Sequence, residues 1–137
     1  MSNVKIKEDE MSQSQLEHLN VTVADPDKTA QILTDLFGWH IRWAGDVSFG
    51  GRSVHVGSDQ SYLALYSPDV SLKKGASSYR TFAGLNHIGV TVDDLDTVEA
   101  KVKALGYVPE NHANYEPGRR FYFEEENGLE IEVVSYT

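Results

Sequence analysis

An internal repeat constrains this chain more than any other feature. Residues 16–36 read LEHLNVTVADPDKTAQILTDL, and residues 85–105 read LNHIGVTVDDLDTVEAKVKAL. Aligned without gaps, they share Leu, His, Val, Thr, Val, Asp, Asp and Leu, eight of twenty-one positions. Each copy then continues into a Gly and an aromatic, Gly38-Trp39 and Gly106-Tyr107. Self-similarity of this kind means that one supersecondary unit occurs twice, and that neither copy can bury its apolar face alone.

Each copy opens with a strand-like alternation. Leu19, Val21 and Val23 share one face, with His18, Asn20 and Thr22 opposite; Ile88, Val90 and Val92 share one face, with His87, Gly89 and Thr91 opposite. Asp25-Pro26 then reads as an N-cap followed by a first-turn proline, and Asp94 as the corresponding cap. Ala30, Leu33 and Phe37 form a stripe at helical spacing, as do Leu95, Val98, Val102 and Leu105. A glycine ends each helix. Three strand-like runs follow in each copy, over residues 40–44, 52–56 and 62–66, then 107–110, 120–124 and 129–134. Gly50-Gly51 and Asn127-Gly128 mark tight turns. Strand, helix and three strands, twice over, predicts an α+β fold of two tandem βαβββ modules whose mixed sheets curl around a cleft. The expected organisation is a polar, flexible tail over residues 1–15, which Val4, Ile6 and Met11 would pin to a surface, and one domain over residues 16–137. Within that domain, module one covers about 16–66, a linker or flap 67–84, and module two about 85–136.

The bulk numbers remove several function classes. The chain has 137 residues, enough to bury a core without disulfides or structural metal. With no cysteine it has no disulfide, thiolate nucleophile, iron–sulfur cluster or Cys-based zinc site. Its formal charge of -9 disfavours nucleic acid and anionic membranes as partners. Without a long apolar run or a signal peptide, a soluble cytoplasmic protein is the expectation.

The polar faces of the two opening strands each carry a His at the equivalent place, His18 and His87. Pseudo-twofold pairing of the modules would point both into one cleft. The last strand offers Glu130 and Glu132 on the face opposite Leu129, Ile131 and Val133. Two imidazoles and one carboxylate, with positions left open, is the facial triad of non-haem iron(II), and nickel, zinc, manganese or cobalt would accept the same ligands. The competing reading of these residues is a set of solvated polar positions on strands. His40, His55 and His112 lack the repeat symmetry and read as surface or pocket-rim residues.

The segments LEHLNVTV, LNHIGVTVDDLD and ENGLEIEVV together resemble the metal-binding strands of the vicinal oxygen chelate superfamily, which includes glyoxalase I, bleomycin-resistance proteins and extradiol dioxygenases. The resemblance covers about residues 16–136. It implies one divalent metal ion, iron(II) favoured, on His18, His87 and Glu132, with Glu130 a neighbour of the ligand. It also departs from glyoxalase I, whose fourth ligand is a Glu at the place held here by Ala64. The three ligands that remain suffice for an extradiol dioxygenase. That signature is matched by Phe121-Tyr122, Glu125, Gly128 and Glu132, with Glu126 in place of its usual Pro and no His at its upstream position. Tyr122 is the implied catalytic residue. Trp39, Trp43, Tyr62, Tyr66 and Arg120 are candidates for the substrate pocket, each with core, dimer or surface packing as its alternative. The function implied is an enzyme that chelates a substrate through adjacent oxygens, extradiol-dioxygenase-like or glyoxalase-like (isomerase or lyase). The alternative is a drug- or ligand-binding protein of the bleomycin-resistance type. A fosfomycin-type thiol transferase would use a similar ligand set, but no potassium- or phosphonate-binding pattern favours it. Many small members pair modules between chains, so a homodimer is implied.

Overall fold

The computed structural model describes residues 13–48, 50–115 and 118–137. Of the tail expected over residues 1–15, residues 1–12, including Val4, Ile6 and Met11, lie outside the described residues. Module one comprises β1 (His18–Thr22), α1 (Pro26–Phe37), β2 (His40–Asp46), β3 (Arg52–Gly57) and β4 (Tyr62–Ser67). Module two comprises β5 (Ile88–Thr91), α2 (Leu95–Ala104), β6 (Glu110–Tyr115), β7 (Gly118–Glu124) and β8 (Glu130–Ser135). The segment between the modules carries one 3-10 turn, Ser78–Arg80. No helix among the described residues is long and apolar enough to cross a membrane.

The helices begin and end where their cap chemistry places them. Asp25 accepts a hydrogen bond from the Lys28 N–H at 3.2 Å, and Asp94 accepts one from the Thr97 N–H at 3.1 Å. Each satisfies a donor that has no partner in the first helical turn. Gly38 closes α1 at φ 69, a left-handed conformation that a side chain would strain. Ala30, Leu33 and Leu36 of α1 and Leu95, Val98 and Val102 of α2 are buried. Two stripe positions behave differently from the expectation. Phe37 is only partly buried and packs beside Trp39, and Leu105 lies past the end of α2, 44% exposed.

Each module forms its own four-stranded mixed sheet, in the orders β1-β4-β3-β2 and β5-β8-β7-β6. The parallel pairs β1/β4 and β5/β8 set the register, with His18 opposite Tyr62 and Ile88 opposite Ile131. The inward faces, carrying Val54, Val56, Leu63 and Leu65 in one module and Phe121, Phe123, Ile131 and Val133 in the other, pack into one core with the helices. The sixth strand corrects the expectation over residues 107–110. Tyr107 instead folds under the sheet beside Phe123 (ring centroids 5.7 Å apart), and β6 runs from Glu110 through a bulge that holds Asn111 at φ 53.

The Asn127-Gly128 hairpin joins the modules. Buried Glu125 accepts hydrogen bonds from the N–H of Asn127 (2.8 Å), the N–H of Leu129 (3.0 Å) and the Asn127 side-chain amide (2.8 Å). So held, Asn127 accepts from the Ala24 N–H at 2.9 Å and donates to Thr29 at 3.3 Å across the junction. Lys28 and Glu126 add an exposed ion pair at 3.0 Å. Glu125, matched to an enzymatic signature by resemblance, is thus a hinge pin of the turn.

Candidate metal and ligand site

Strand register decides which residues meet. In module two, Glu132 lies opposite Gly89 on one side and Tyr122 on the other, and Arg120 follows two residues along on the Tyr122 face. His87, just before β5, reaches over this face. Its Nε2 lies 3.2 Å from Glu132 Oε1, and its Nδ1 lies 3.5 Å from Glu130 Oε1. Arg120 donates from Nη1 to Glu132 Oε2 at 2.8 Å, and both side chains are largely buried. The Tyr122 ring meets His87 edge-on, with centroids 5.6 Å apart. Tyr79, from the turn between the modules, donates its hydroxyl to Glu130 Oε1 at 3.1 Å.

Module one uses the same register for different chemistry. Asn20 and His55 flank Ala64 as Gly89 and Tyr122 flank Glu132. Ala64 thus stands where module two has its carboxylate, at the place expected from the resemblance. The face becomes a row of rings instead. His18 stacks on Tyr62 (4.9 Å), Tyr62 on His55 (4.7 Å), and His55 lies beside Trp43 (5.1 Å). The Arg42 guanidinium sits over Tyr62, 4.4 Å from the ring centroid. Burial first, and the nearby charges of His18 and Arg42 second, hold the His55 imidazole below its ordinary range. Burial raises the Tyr62 phenol, helped by the neighbouring Glu17 carboxylate.

His18 has its own surroundings. Its Nδ1 lies 2.9 Å from Glu17 Oε1, and the Tyr62 hydroxyl donates to the same oxygen at 3.3 Å. A cleft of about 180 Å³ opens beside it, where Leu16, Leu19, Trp39 and Leu63 approach Ile88 and Gly89 of β5. His87 and Glu132 are therefore brought together within the chain, while His18 stands across the module boundary. Among the described residues, no three His, Asp or Glu side chains gather closely enough to hold a metal ion.

The expected pocket residues separate into groups. Trp43 and Tyr62 belong to the ring row, and Trp39 borders the cleft while packing on Phe37. The Tyr66 hydroxyl donates to the Gly50 carbonyl at 3.2 Å, in the β2–β3 turn. Arg120 serves Glu132. His40 and His112 pair outside this face, with Asp59 at 3.6 Å and Glu99 at 2.6 Å. Sequence reasoning left His55 as a surface or pocket-rim residue, and it missed Arg42 and Tyr79. For His55 its own strand gave no signal, since its period-2 neighbours are Ser53 and Gly57 and its ring partners Trp43 and Tyr62 come from the strands on either side. For Tyr79, in an irregular segment, there was none.

The donor set around His87 fits a cation. Metal bonds of about 2.0–2.2 Å at right angles place two ligand atoms about 3 Å apart, close to the separation of Nε2 and Oε1. With Glu132 Oε2 committed to Arg120, Oε1 is the oxygen left for a metal.

A family model described as the Glyoxalase/Bleomycin resistance protein/Dioxygenase superfamily matches residues 15–133. No curated protein sequence matches the chain. Among solved structures, a glyoxylase/bleomycin resistance protein/dioxygenase domain from Frankia sp. EAN1pec superposes with a TM-score of 0.77 at 19% identity, over 92% of this chain and 94% of that one. The fosfomycin resistance protein FosX from Listeria monocytogenes gives 0.69 at 21% identity, over 92% and 96%. TnmS3, an antibiotic binding protein from Streptomyces sp. CB03234, gives 0.67 at 19% identity, over 93% and 99%. At these identities the structural likeness speaks for the fold, and with the family match over most of its length, the chain belongs to the Glyoxalase/Bleomycin resistance protein/Dioxygenase superfamily.

Proposed function

We propose that the protein is a metal-dependent enzyme that binds a small-molecule substrate through two adjacent oxygens, at a divalent cation held by His18, His87 and Glu132. The observation carrying this reading is the His87–Glu132 pair, 3.2 Å apart, with the second Glu132 oxygen neutralised by Arg120. Two imidazoles and a carboxylate with open positions is the set used by non-haem iron(II) oxygenases, which favours iron(II), and nickel, zinc, manganese or cobalt would fit the same donors. FosX from Listeria has been solved with Mn(II) and a dihydroxypropylphosphonic acid, a ligand bearing adjacent oxygens. When bound, the metal supplies Lewis acidity toward negative charge developing on the substrate oxygens. Tyr122, edge-on to His87, would donate a hydrogen bond at that site. With Ala64 at the fourth ligand position, no carboxylate stands there to serve as a metal-bound base, which favours extradiol-type chemistry over that of glyoxalase I.

His18 completes the triad in a homodimer that pairs module one of each copy with module two of the other. Apolar side chains of the segment between the modules, Val70 and Phe82 above all, are exposed in the single chain and would be covered by such pairing. Mixing His18→Ala with Glu132→Ala chains under subunit exchange tests it. Pairing between copies regenerates one intact site per mixed dimer, so metal binding returns. A site built within one chain stays dead.

Elemental analysis of protein purified without added metal or chelator, repeated on Glu132→Ala, tests the enzyme reading. Stoichiometric iron that is lost in the variant is expected, and makes catechols the first substrates to try. Stoichiometric nickel, zinc, manganese or cobalt keeps the site and directs the search to isomerases and lyases. No metal, and none taken up on reconstitution, overturns it. The second reading, a ligand-binding protein, then stands on the cleft beside His18, lined by Leu16, Leu19, Trp39, Leu63 and Ile88.

A further inference from the structure

We propose that Gly89 sets the specificity of the site. It leaves one strand position bare, so that a molecule held at Glu132 can lie across β5 and reach the cleft between the modules with an apolar group the size of a single aromatic ring. The proposal rests on the metal-site reading above for its anchor at Glu132, and adds what the remainder of the substrate is.

Nothing in the fold requires glycine here. Gly89 is not among the residues at positive φ, and a Cβ added to it would meet nothing within 4 Å beyond its chain neighbours. At Gly51, Gly57 and Gly118, by contrast, an added Cβ would run into a backbone carbonyl oxygen. Gly89 also lies within β5, an edge strand, where the lack of a side chain weakens the strand and a branched one would suit it. The repeat does not supply the reason either. The residue of module one aligned with Gly89 is Asn20. Asn20 has the small Ala64 beside it on β4, whereas Gly89 has Glu132 beside it on β8. The bare position therefore falls next to the carboxylate, where a bound molecule needs room.

The same residue borders the cleft. Gly89 and Ile88 form one wall, facing Leu16, Leu19, Trp39 and Leu63 of module one across about 180 Å³. A dry apolar cavity of about 150 Å³ takes up benzene, so the cleft has room for one ring or a branched chain of that size, and not for two. Gly89 thus has Glu132 on one side and apolar walls on the other, and a side chain on it would stand between them. Neighbouring strands run only about 4.8 Å apart, so the apolar group must follow the chelating oxygens closely. The class of substrate that fits is a small molecule with two adjacent oxygens at one end and a single ring or branched chain attached beside them.

The test compares phenylglyoxylate with pyruvate, two 2-oxo acids that present the same adjacent oxygens and differ in phenyl against methyl. Each is titrated into full-length wild type, Gly89→Ala and Gly89→Val, with and without Mn(II), and followed by NMR at the Trp39 indole N–H and the Ile88 methyl groups. In the wild type with Mn(II), phenylglyoxylate is expected to bind the more tightly and to move both signals, and pyruvate to leave them still. Both variants are expected to melt no lower than wild type; a clearly lower melt would show that the fold needs the glycine and overturn the proposal. Gly89→Val is expected to weaken phenylglyoxylate about 10- to 200-fold, the range for one misplaced small group in an apolar pocket, and pyruvate by no more than about twofold, with Gly89→Ala between. Phenylglyoxylate that leaves the Trp39 and Ile88 signals still, or that loses no more affinity than pyruvate in Gly89→Val, overturns the proposal; if Mn(II) nonetheless tightens both acids, the metal reading stands. Phenylglyoxylate that moves both signals equally well without Mn(II), and is lost in Gly89→Val, upholds the role of Gly89 and overturns the metal anchor. Binding of neither acid under either condition overturns both.

Discussion

Phe121→Ala is expected to cost about 3–5 kcal/mol of folding stability, the range for truncating a large buried aromatic. Phe121 is wholly buried on β7, opposite Val133 and next to Phe123, with ring centroids 6.4 Å apart. It is among the largest fully buried side chains, on an inner strand of the second sheet. Truncation removes transfer free energy and leaves a void that strands pinned on both sides cannot collapse to fill. A thermal melt should move down by roughly 10 °C or more for a chain of this length. Chemical denaturation should show an earlier midpoint with an unchanged slope. A loss below about 1 kcal/mol would mean that β7 is not the buried strand of its sheet.

Arg120→Met is expected to be the most damaging change at the site itself, costing about 3 kcal/mol in metal-free protein. That is the low end for breaking a buried ion pair by removing one partner. Arg120 and Glu132 are 13% and 11% exposed and 2.8 Å apart, so Met would leave the carboxylate in a poorly solvated place. His87, 3.2 Å away, offsets part of this, which is why the low end applies. Two further results follow from the same cause. Adding Glu132→Gln to Arg120→Met should recover much of the loss, because the charge that lacked compensation is gone. A divalent metal should stabilise Arg120→Met more than wild type, because it supplies positive charge that Arg120 already gives in the native protein. Unfolding curves with and without Mn(II) measure both. Equal stabilisation of the two proteins would mean that Glu132 is not a ligand.

The two modules, their helices and their family resemblance were legible in the sequence because they rest on local physics. Asp25-Pro26 and Asp94 cap helices whatever surrounds them, Gly38 supplies a left-handed residue, and a period-2 alternation of Val and Thr marks a strand on its own. The pair of histidines at equivalent places was likewise visible, because a repeat copies positions faithfully. β6 was misplaced because an edge strand with a bulge at Glu110–Ala113 has one pairing partner and no alternation to announce it. The real use of Tyr107 was hidden for the same reason.

What surrounds each histidine was decided by tertiary structure alone. β1 lies against β4 and β5 against β8, neighbours far apart in sequence, and only that order sets Tyr62 on His18 and Glu132 beside Gly89. Sequence spacing places a residue on one face of its own strand, whereas its partners depend on the strands alongside and on their register. A slip of one residue would turn Glu132 into the core and Ile131 toward the site. Arg120 shows the difference most plainly: by sequence it was a candidate for the substrate pocket or a surface cation, whereas in the fold it lies largely buried as the counter-charge of Glu132, because at that depth a carboxylate without a partner is too costly to keep.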